Sequence, residues 1–241
     1  MTLFEWQAPG PYRVAFSTRI GGVSEGAFAS LNLGVYTDDD PERVRENRRR
    51  LCAELGVEPE TATMAWQFHS AEVVKADGRG IVTPGLEFER CDGLWTDEPG
   101  RGLMLLTADC LPIAIARTNG TPAVCVLHAG WRGLLAGIVE SGAAALGGGG
   151  ELAAAIGPGI GPCCYEVGDE VAAPFRERFG DGVVVGRNLD LAEAAERALR
   201  AAGCATVERV GLCSSCEEAL FFSHRRDRGR TGRQGIVAAL H

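Results

Sequence analysis

Gly102-Leu-Met-Leu-Leu-Thr-Ala-Asp-Cys-Leu-Pro-Ile-Ala-Ile-Ala116, followed after a polar gap by Ala123-Val-Cys-Val-Leu-His128, decides how the chain is read. It holds three apolar runs of strand length, Gly102–Thr107, Pro112–Ala116 and Ala123–Leu127. The gaps between them are too short for a crossover helix. A parallel neighbour needs a dozen or more connecting residues, so part of the sheet must be antiparallel. Helical stretches lie on either side of this block. The expectation is an α/β protein of the α+β type: a single layered domain over residues 1–241, with helices packed on a mixed β-sheet.

Outward from the block, Tyr12–Ser17 reads as a strand and Thr18–Gly26 as a glycine-rich loop. Asp40-Pro41 opens a helix that runs to Leu55, with Pro41 suited to the first turn and Gly56 to the end. Ala62–Trp66 and Glu72–Lys75 are strands around His69. A helix after His128 is expected to reach Leu146, and Gly147–Gly150 to form a flexible joint. Beyond it, Leu152–Ile156, Gly182–Val185, Val207–Leu212 and Gly235–Leu240 read as strands, with helices over Gly168–Phe179 and Asp190–Ala202. The character of the chain does not change across Gly147, so the joint is not read as a domain boundary.

With 46% hydrophobic and 23% charged residues, the 241-residue chain has the composition of a soluble globular protein. Its net charge of -8 argues against nucleic acid as a main partner. No apolar run is long enough to span a membrane. Nine cysteines, an odd number and partly inside apolar runs, do not form the framework of a secreted disulfide protein. Met1-Thr-Leu-Phe-Glu-Trp6 lacks a basic stretch followed by an apolar one. The expectation is a reduced cytoplasm.

Three residues stand where strand-like stretches end: His69 in Gln67-Phe-His69, Cys110 in Ala108-Asp-Cys110, and His128 in His128-Ala-Gly-Trp-Arg-Gly133. Each has an ordinary explanation alone. His128 would cap a helix, Cys110 would be a buried thiol and His69 a surface imidazole. Together, two imidazoles and a thiolate suit Zn2+, and three protein ligands leave a fourth position open. The same set suits a copper centre with a weak axial methionine, for which Met64 and Met104 are available. A multicopper oxidase, however, needs more imidazoles than the chain's four histidines. Two further readings are a cysteine hydrolase, with Cys110 as nucleophile and His69 or His128 as base, and a purely structural metal cluster.

Several segments, spread in order over nearly the whole chain, resemble one bacterial family. They are Phe16-Ser-Thr-Arg-Ile-Gly-Gly-Val-Ser24, Leu31-Asn-Leu-Gly34, Val44-Arg-Glu-Asn-Arg48, Gln67-Phe-His69, Cys91-Asp-Gly93, Thr107-Ala-Asp-Cys110, His128-Ala-Gly-Trp-Arg-Gly133, Ile156-Gly-Pro-Gly-Ile-Gly-Pro-Cys-Cys-Tyr-Glu-Val167, Phe222-Ser-His-Arg-Arg-Asp227 and Thr231-Gly-Arg-Gln234. The family was first described as multicopper polyphenol oxidase or laccase-domain proteins. It is now described as purine nucleoside phosphorylase with adenosine deaminase activity, and in some bacteria as a peptidoglycan editing factor. The resemblance implies His69, Cys110 and His128 as catalytic zinc ligands and a single-domain layered α/β fold. It also implies purine nucleosides (adenosine, inosine, guanosine, methylthioadenosine) and phosphate as substrates. His224 stands where the family commonly has tyrosine, and Ser214 where it often has threonine.

Phosphorolysis requires basic groups for phosphate. Arg48 and Arg132 are the candidates, with Asn47 and Ser24 as hydrogen-bonding partners. The plain alternative for Arg48 is a solvated helix face. A proton shuttle is also needed, for which Asp92, Asp109 and Glu166 are the available carboxylates. Asp92-Gly93 otherwise reads as a turn, and Asp109 as a carboxylate that orients a metal-bound histidine. Arg225–Arg233 reads as an ordered basic loop near the site or at the surface. Cys213-Ser-Ser-Cys216 has metal or redox spacing, but a lone pair of this kind more often has a structural or incidental role. Adjacent Cys163 and Cys164 are not expected to bond to each other.

Overall fold

The structure, a computed structural model, describes residues 1–78, 89–147 and 151–241. In chain order come strands β1 (Leu3–Trp6) and β2 (Tyr12–Ser17), a single 3-10 turn (Gly26–Phe28) and helix α1 (Pro41–Leu55). Strands β3 (Thr63–Trp66), β4 (Val73–Lys75), β5 (Glu89–Arg90), β6 (Gly93–Thr96), β7 (Gly102–Thr107), β8 (Leu111–Arg117) and β9 (Val124–Ala129) follow. Then come α2 (Trp131–Ala136), α3 (Ile138–Ala145), β10 (Leu152–Ile156) and α4 (Asp169–Phe179). The chain closes with β11 (Val184–Val185), β12 (Asn188–Leu189), α5 (Leu191–Ala201), β13 (Cys204–Arg209) and β14 (Gln234–Leu240).

Helices and mixed sheets make up the fold, in keeping with the class expected from the sequence. Among the described residues the expected sheet is divided into two six-stranded sheets, ordered β1-β2-β14-β7-β3-β5 and β13-β10-β8-β9-β6-β4, beside a small β11-β12 pair. Alternation along the strands shows how they stack, because successive side chains of a strand point to opposite faces. On β7, Leu103 and Leu105 join one core while Met104 joins another. On β8, Ala114 and Ala116 join the first of these cores while Ile113 and Ile115 face a third. The shared core is therefore the seam between the sheets. Helix α1 covers the outer face of the first sheet, and α2 to α5 cover the outer face of the second. The antiparallel pairing expected around residue 110 is between β8 and β9; β7 lies in the other sheet and pairs with β14. No helix of the described residues is long and apolar enough to cross a membrane.

Local signals fold as their chemistry directs. The Asp40 side chain accepts the Glu42 N–H at the start of α1, and Gly56 ends it in the left-handed region at φ 63°. Asp190 does the same for Glu193 at the start of α5. The helix expected from His128 to Leu146 is broken at Gly137, whose φ of 92° separates α2 from α3. The strand expected at Val207–Leu212 starts earlier, at Cys204, because its pairing with β10 begins there. Its charged residues Glu208 and Arg209 hide the pattern; they bond to Trp6 and Glu193. Of the glycine joint, residues 148–150 lie outside the described residues.

Asn47 is fully buried on α1 and holds the glycine-rich loop. Its Oδ1 accepts the Val23 N–H (2.8 Å), and its Nδ2 donates to Ser24 Oγ (2.9 Å), the Ser30 carbonyl (3.1 Å) and the Asn32 carbonyl (2.8 Å). Ser24 in turn donates to Asp39 Oδ2 at 2.6 Å. Asn47→Ala strips these partners in a buried setting and should destabilise the protein by roughly 2–4 kcal/mol. Urea denaturation measures it; an unchanged midpoint would show that the loop does not depend on this clamp.

Candidate metal centre and cavity

His69, Cys110 and His128 meet at one end of the two-sheet stack because of how the chain crosses it. Gln67 to Glu72 links β3 of the first sheet to β4 of the second, and Ala108 to Cys110 links β7 to β8 in the same sense. His128 lies within β9, opposite Pro112. It is thus a strand residue, where the sequence suggested the start of a turn, because the β8–β9 ladder continues to Ala129. Both crossings are sharp: His69 has φ 65° and Asp109 φ 90°, a region that residues with a Cβ seldom occupy. One ligand atom from each of the three side chains lies within 4.8 Å of the others. The imidazole centroids are 4.9 Å apart. A Cβ on Gly130 would come within 2.8 Å of Cys110 Sγ and 3.2 Å of His69 Cδ2, so this floor requires glycine.

Asp92 supports the cluster from behind. It is fully buried, immediately before β6. Its Oδ1 accepts the His128 Nδ1–H at 2.8 Å and the His69 N–H at 2.9 Å. Its Oδ2 accepts the Ser70 N–H (2.6 Å), the Ser70 hydroxyl (2.8 Å) and the Phe68 N–H (3.2 Å). Burial alone would raise this carboxyl, but the bonds from His128 and Ser70 outweigh it and hold the group at about 2. With Nδ1 turned to Asp92, the other nitrogen of His128 faces Cys110. Burial opposes charge on both members of that pair, but each stabilises the other. The thiol falls to about 6 with the help of both imidazoles, and His128 rises to about 9 beside the thiolate and Asp92.

A cavity of about 510 Å³ opens onto the cluster. Arg48, Arg132, Arg225 and Arg233 line it, with Tyr36, Trp66 and Tyr165 as its aromatic wall. Tyr36 is 70% exposed and meets Trp66 edge-on at 4.6 Å, forming an open aromatic rim. Burial lifts Tyr165 to about 12, with nearby Cys110 adding to the rise, so its phenol stays protonated at neutral pH.

Residues 13–241 match a family model described as multi-copper polyphenol oxidoreductase laccase. A protein of Pseudomonas aeruginosa named purine nucleoside phosphorylase is 40% identical over 240 residues, covering 95% of this chain and 93% of the relative. The chain belongs to this laccase-like family. Another relative, purine nucleoside phosphorylase YlmD of Geobacillus stearothermophilus, is 41% identical over 90% of this chain and 86% of its own length. The crystal structure of YlmD from the same organism superposes with a TM-score of 0.91 at 36% identity, covering 100% of this chain and 97% of that one. The Bacillus licheniformis protein YfiH, whose structure is described as that of a hypothetical protein, gives 0.88 at 33% identity over 98% of both chains.

Among the residues singled out in this family member, Arg48, Asp109, Arg132 and the three cluster residues line the cavity. Arg48 is not on a solvated helix face. It is 2% exposed, its guanidinium donates to the Leu33 carbonyl, and burial pulls it down to about 10. Arg132 is exposed and stacks over Trp131 at 4.3 Å. Ser24 and Asn47 do not line the cavity, because their hydrogen bonds hold the glycine-rich loop to α1. Asp92, considered as a proton shuttle or a turn former, is the carboxylate that orients His128, a part the sequence suggested for Asp109. Asp109 instead ties three segments together. Its oxygens accept the Ser214 hydroxyl and the Arg225 N–H, both at 2.7 Å, and its carbonyl accepts the Ile160 N–H at 2.8 Å. Glu166 is exposed and pairs with Arg187 at 3.1 Å.

Sequence reasoning missed Tyr36 and gave Tyr165 no role. Arg225 and Arg233 were legible only as members of a basic loop, which the structure places at the cavity. Gln67 shows a residue whose part depends on the fold: its amide exchanges hydrogen bonds with the Leu106 backbone at 2.7 and 2.9 Å, prolonging the β3–β7 pairing towards His69.

Asp92→Ala leaves three backbone donors and His128 without their acceptor. The metal-free protein should lose on the order of 3 kcal/mol or more in urea denaturation. The wild-type carboxyl sits below its ordinary 3.8, so its contribution is present above that pH and is lost as pH falls towards 2. The gap between wild type and Asp92→Ala should narrow over that acid range. Equal midpoints for the two proteins near neutrality would refute the assignment.

Proposed function

We propose that the protein is a zinc-dependent purine nucleoside phosphorylase that also deaminates adenosine at the same site. The observation that carries this reading is the His69–Cys110–His128 cluster at the base of a cavity lined by four arginines and an aromatic rim. The donor set fits zinc: two imidazoles and a thiol that readily gives up its proton, with a buried carboxylate behind one imidazole. A zinc ion held there supplies a Lewis acid for polarising substrate or water.

The chain's own residues divide the remaining work. Arg132, Arg225 and Arg233, with Arg48 deeper in, give the cavity the positive charge that orthophosphate requires. Tyr36 and Trp66 offer flat faces to a purine. In phosphorolysis a phosphate oxygen bonds to ribose C1′ as the C1′–N bond breaks, and the purine leaves as a protonated base. Asp92 and Asp109 have their oxygens engaged in positioning bonds, so neither is the donor we favour. Tyr165 is a protonated hydroxyl on the cavity wall, and we assign it the delivery of that proton. Free thiols and nucleoside substrates both belong in the cytoplasm.

Zinc-loaded protein incubated with inosine or adenosine and phosphate should release free base and ribose 1-phosphate. Without phosphate, adenosine should yield inosine. Cys110→Ala should abolish both reactions. No turnover by fully zinc-loaded protein would sink the reading, and activity that needs copper in place of zinc would move it to the oxidase the family description names.

Tyr165→Phe should lower the phosphorolytic kcat by roughly 10²-fold with KM little changed. An unaltered kcat would remove the tyrosine from the proton path.

A further inference from the structure

We propose that Cys163, Cys164, Cys213 and Cys216 form a second metal centre, a four-thiolate site for one structural zinc ion behind the cavity wall. The sequence offers Cys213-Ser-Ser-Cys216 as a lone pair, and the fold supplies its partner. Strands β10 and β13 run parallel as neighbours, so their C-terminal exits lie side by side. The pairing continues past the strands: the Val210 N–H donates to the Ile156 carbonyl (3.0 Å) and the Ser214 N–H to the Gly159 carbonyl (2.8 Å). This brings the Cys163-Cys164 turn onto the Cys213–Cys216 turn. The four sulfurs all lie within 4.8 Å of one another.

The dimensions match a single ion. Zn–S bonds of about 2.3 Å place tetrahedral sulfurs about 3.8 Å apart. Cys216 Sγ lies 3.4 Å from both Cys163 Sγ and Cys164 Sγ. These spacings are far beyond a disulfide bond of about 2.05 Å, and all four cysteines are free. An iron–sulfur cubane would hold its cysteines farther apart than one ion does.

Backbone donors converge on one of the four sulfurs. The Gly161 N–H donates to Cys213 Sγ at 3.2 Å, and the amides of Ser215 and Cys216 also point at that sulfur. Such donors stabilise sulfur as an anion, which is the form that binds metal. Arg226 stands nearby, donating to the Ser214 carbonyl at 3.0 Å. A Cβ on Gly161 would meet Cys213 Cβ at 3.2 Å and Cys163 Sγ at 3.3 Å, so glycine lets the two turns close on each other. Without an ion, the thiols can only share weak S–H···S contacts such as those of Cys216 with Cys163 and Cys164. With one, they clamp the turn that carries Tyr165 to the turn whose Ser214 holds Asp109 beside Cys110.

Full-length protein purified under reductant should contain two zinc ions per chain by elemental mass spectrometry. Cys110→Ala should keep one, and Cys163→Ser/Cys216→Ser should keep the other. Cys163 and Cys216 are exposed, so serine there disturbs no core. Cobalt(II) added to metal-free Cys110→Ala protein reads the site without altering its ligands. The expected result is the intense sulfur-to-cobalt charge-transfer and visible bands of a tetrahedral thiolate complex. One zinc per chain in wild type, lost in Cys110→Ala, would overturn the proposal. So would a non-reduced mass lower by two hydrogens for each disulfide among the four cysteines, or a cobalt complex without those bands. This outcome is independent of whether the nucleoside reaction occurs.

Discussion

The cluster geometry depends on one buried carboxylate. Asp92 accepts from the backbone on both sides of the His69 corner and from the ring of His128, so a single side chain sets both imidazoles. The corner needs such an anchor because His69 sits at positive φ, a conformation that costs free energy unless its surroundings fix it. An apolar residue at this point would leave three N–H groups facing a dry interior. A free carboxylate would not stay charged there. The arrangement holds only because donors and acceptor satisfy one another completely. The His128 N–H also donates to the Asp92 carbonyl at 2.7 Å, so backbone and side chain act on the same histidine.

A two-sheet stack explains why His69, Cys110 and His128 can meet at all. Residues 66 and 107 end neighbouring strands of the first sheet, while 111 and 128 lie on paired strands of the second. The chain turns from one layer to the other at both His69 and Asp109-Cys110. Such corners bring backbone from two layers within one side-chain length of each other. Gly130 completes the arrangement, since any side chain there would occupy the space of the Cys110 sulfur.

What could be read from the sequence followed the range of the interaction. Helix α1 was legible from Asp40-Pro41 to Gly56 because caps act within one turn, and β2, β7 and β14 were legible from their apolar runs. The division into two sheets was not. β8 is buried on both faces, so its pattern is the same whether one sheet or two lies alongside. β14, last in the chain, inserts between β2 and β7, a choice no local signal contains. The His69–Cys110–His128 cluster could be singled out because all three residue types carry chemistry. Its support was misassigned because Asp-Gly reads locally as a turn, while Asp92 bonds to residues more than twenty positions before and thirty after it. Asn47 and Ser24, read as hydrogen-bonding partners for a phosphate-binding arginine, hold the glycine-rich loop, and polar side chains that hold a loop look the same in sequence as those that hold a substrate. The pair Cys213 and Cys216 seemed isolated because its partners lie some fifty residues earlier.

Charge is the remaining constraint, and it acts locally against the global balance. The chain carries -8 overall, yet four arginines line one cavity. Arg225 donates to the Glu166 carbonyl, and Arg233 to the Thr231 and Gly232 carbonyls. Carbonyl partners orient a guanidinium without cancelling its charge. Burial disfavours the charge of Arg48 and Arg233. Against this, Asp109 and the Cys110 thiolate draw Arg233 towards the cluster. A divalent ion among His69, Cys110 and His128 would offset the thiolate's share of that attraction and make the charge of Arg233 more available to an external anion. The metal and phosphate of the proposed reaction are therefore coupled through the thiolate: loading the first prepares the cavity's charge for the second.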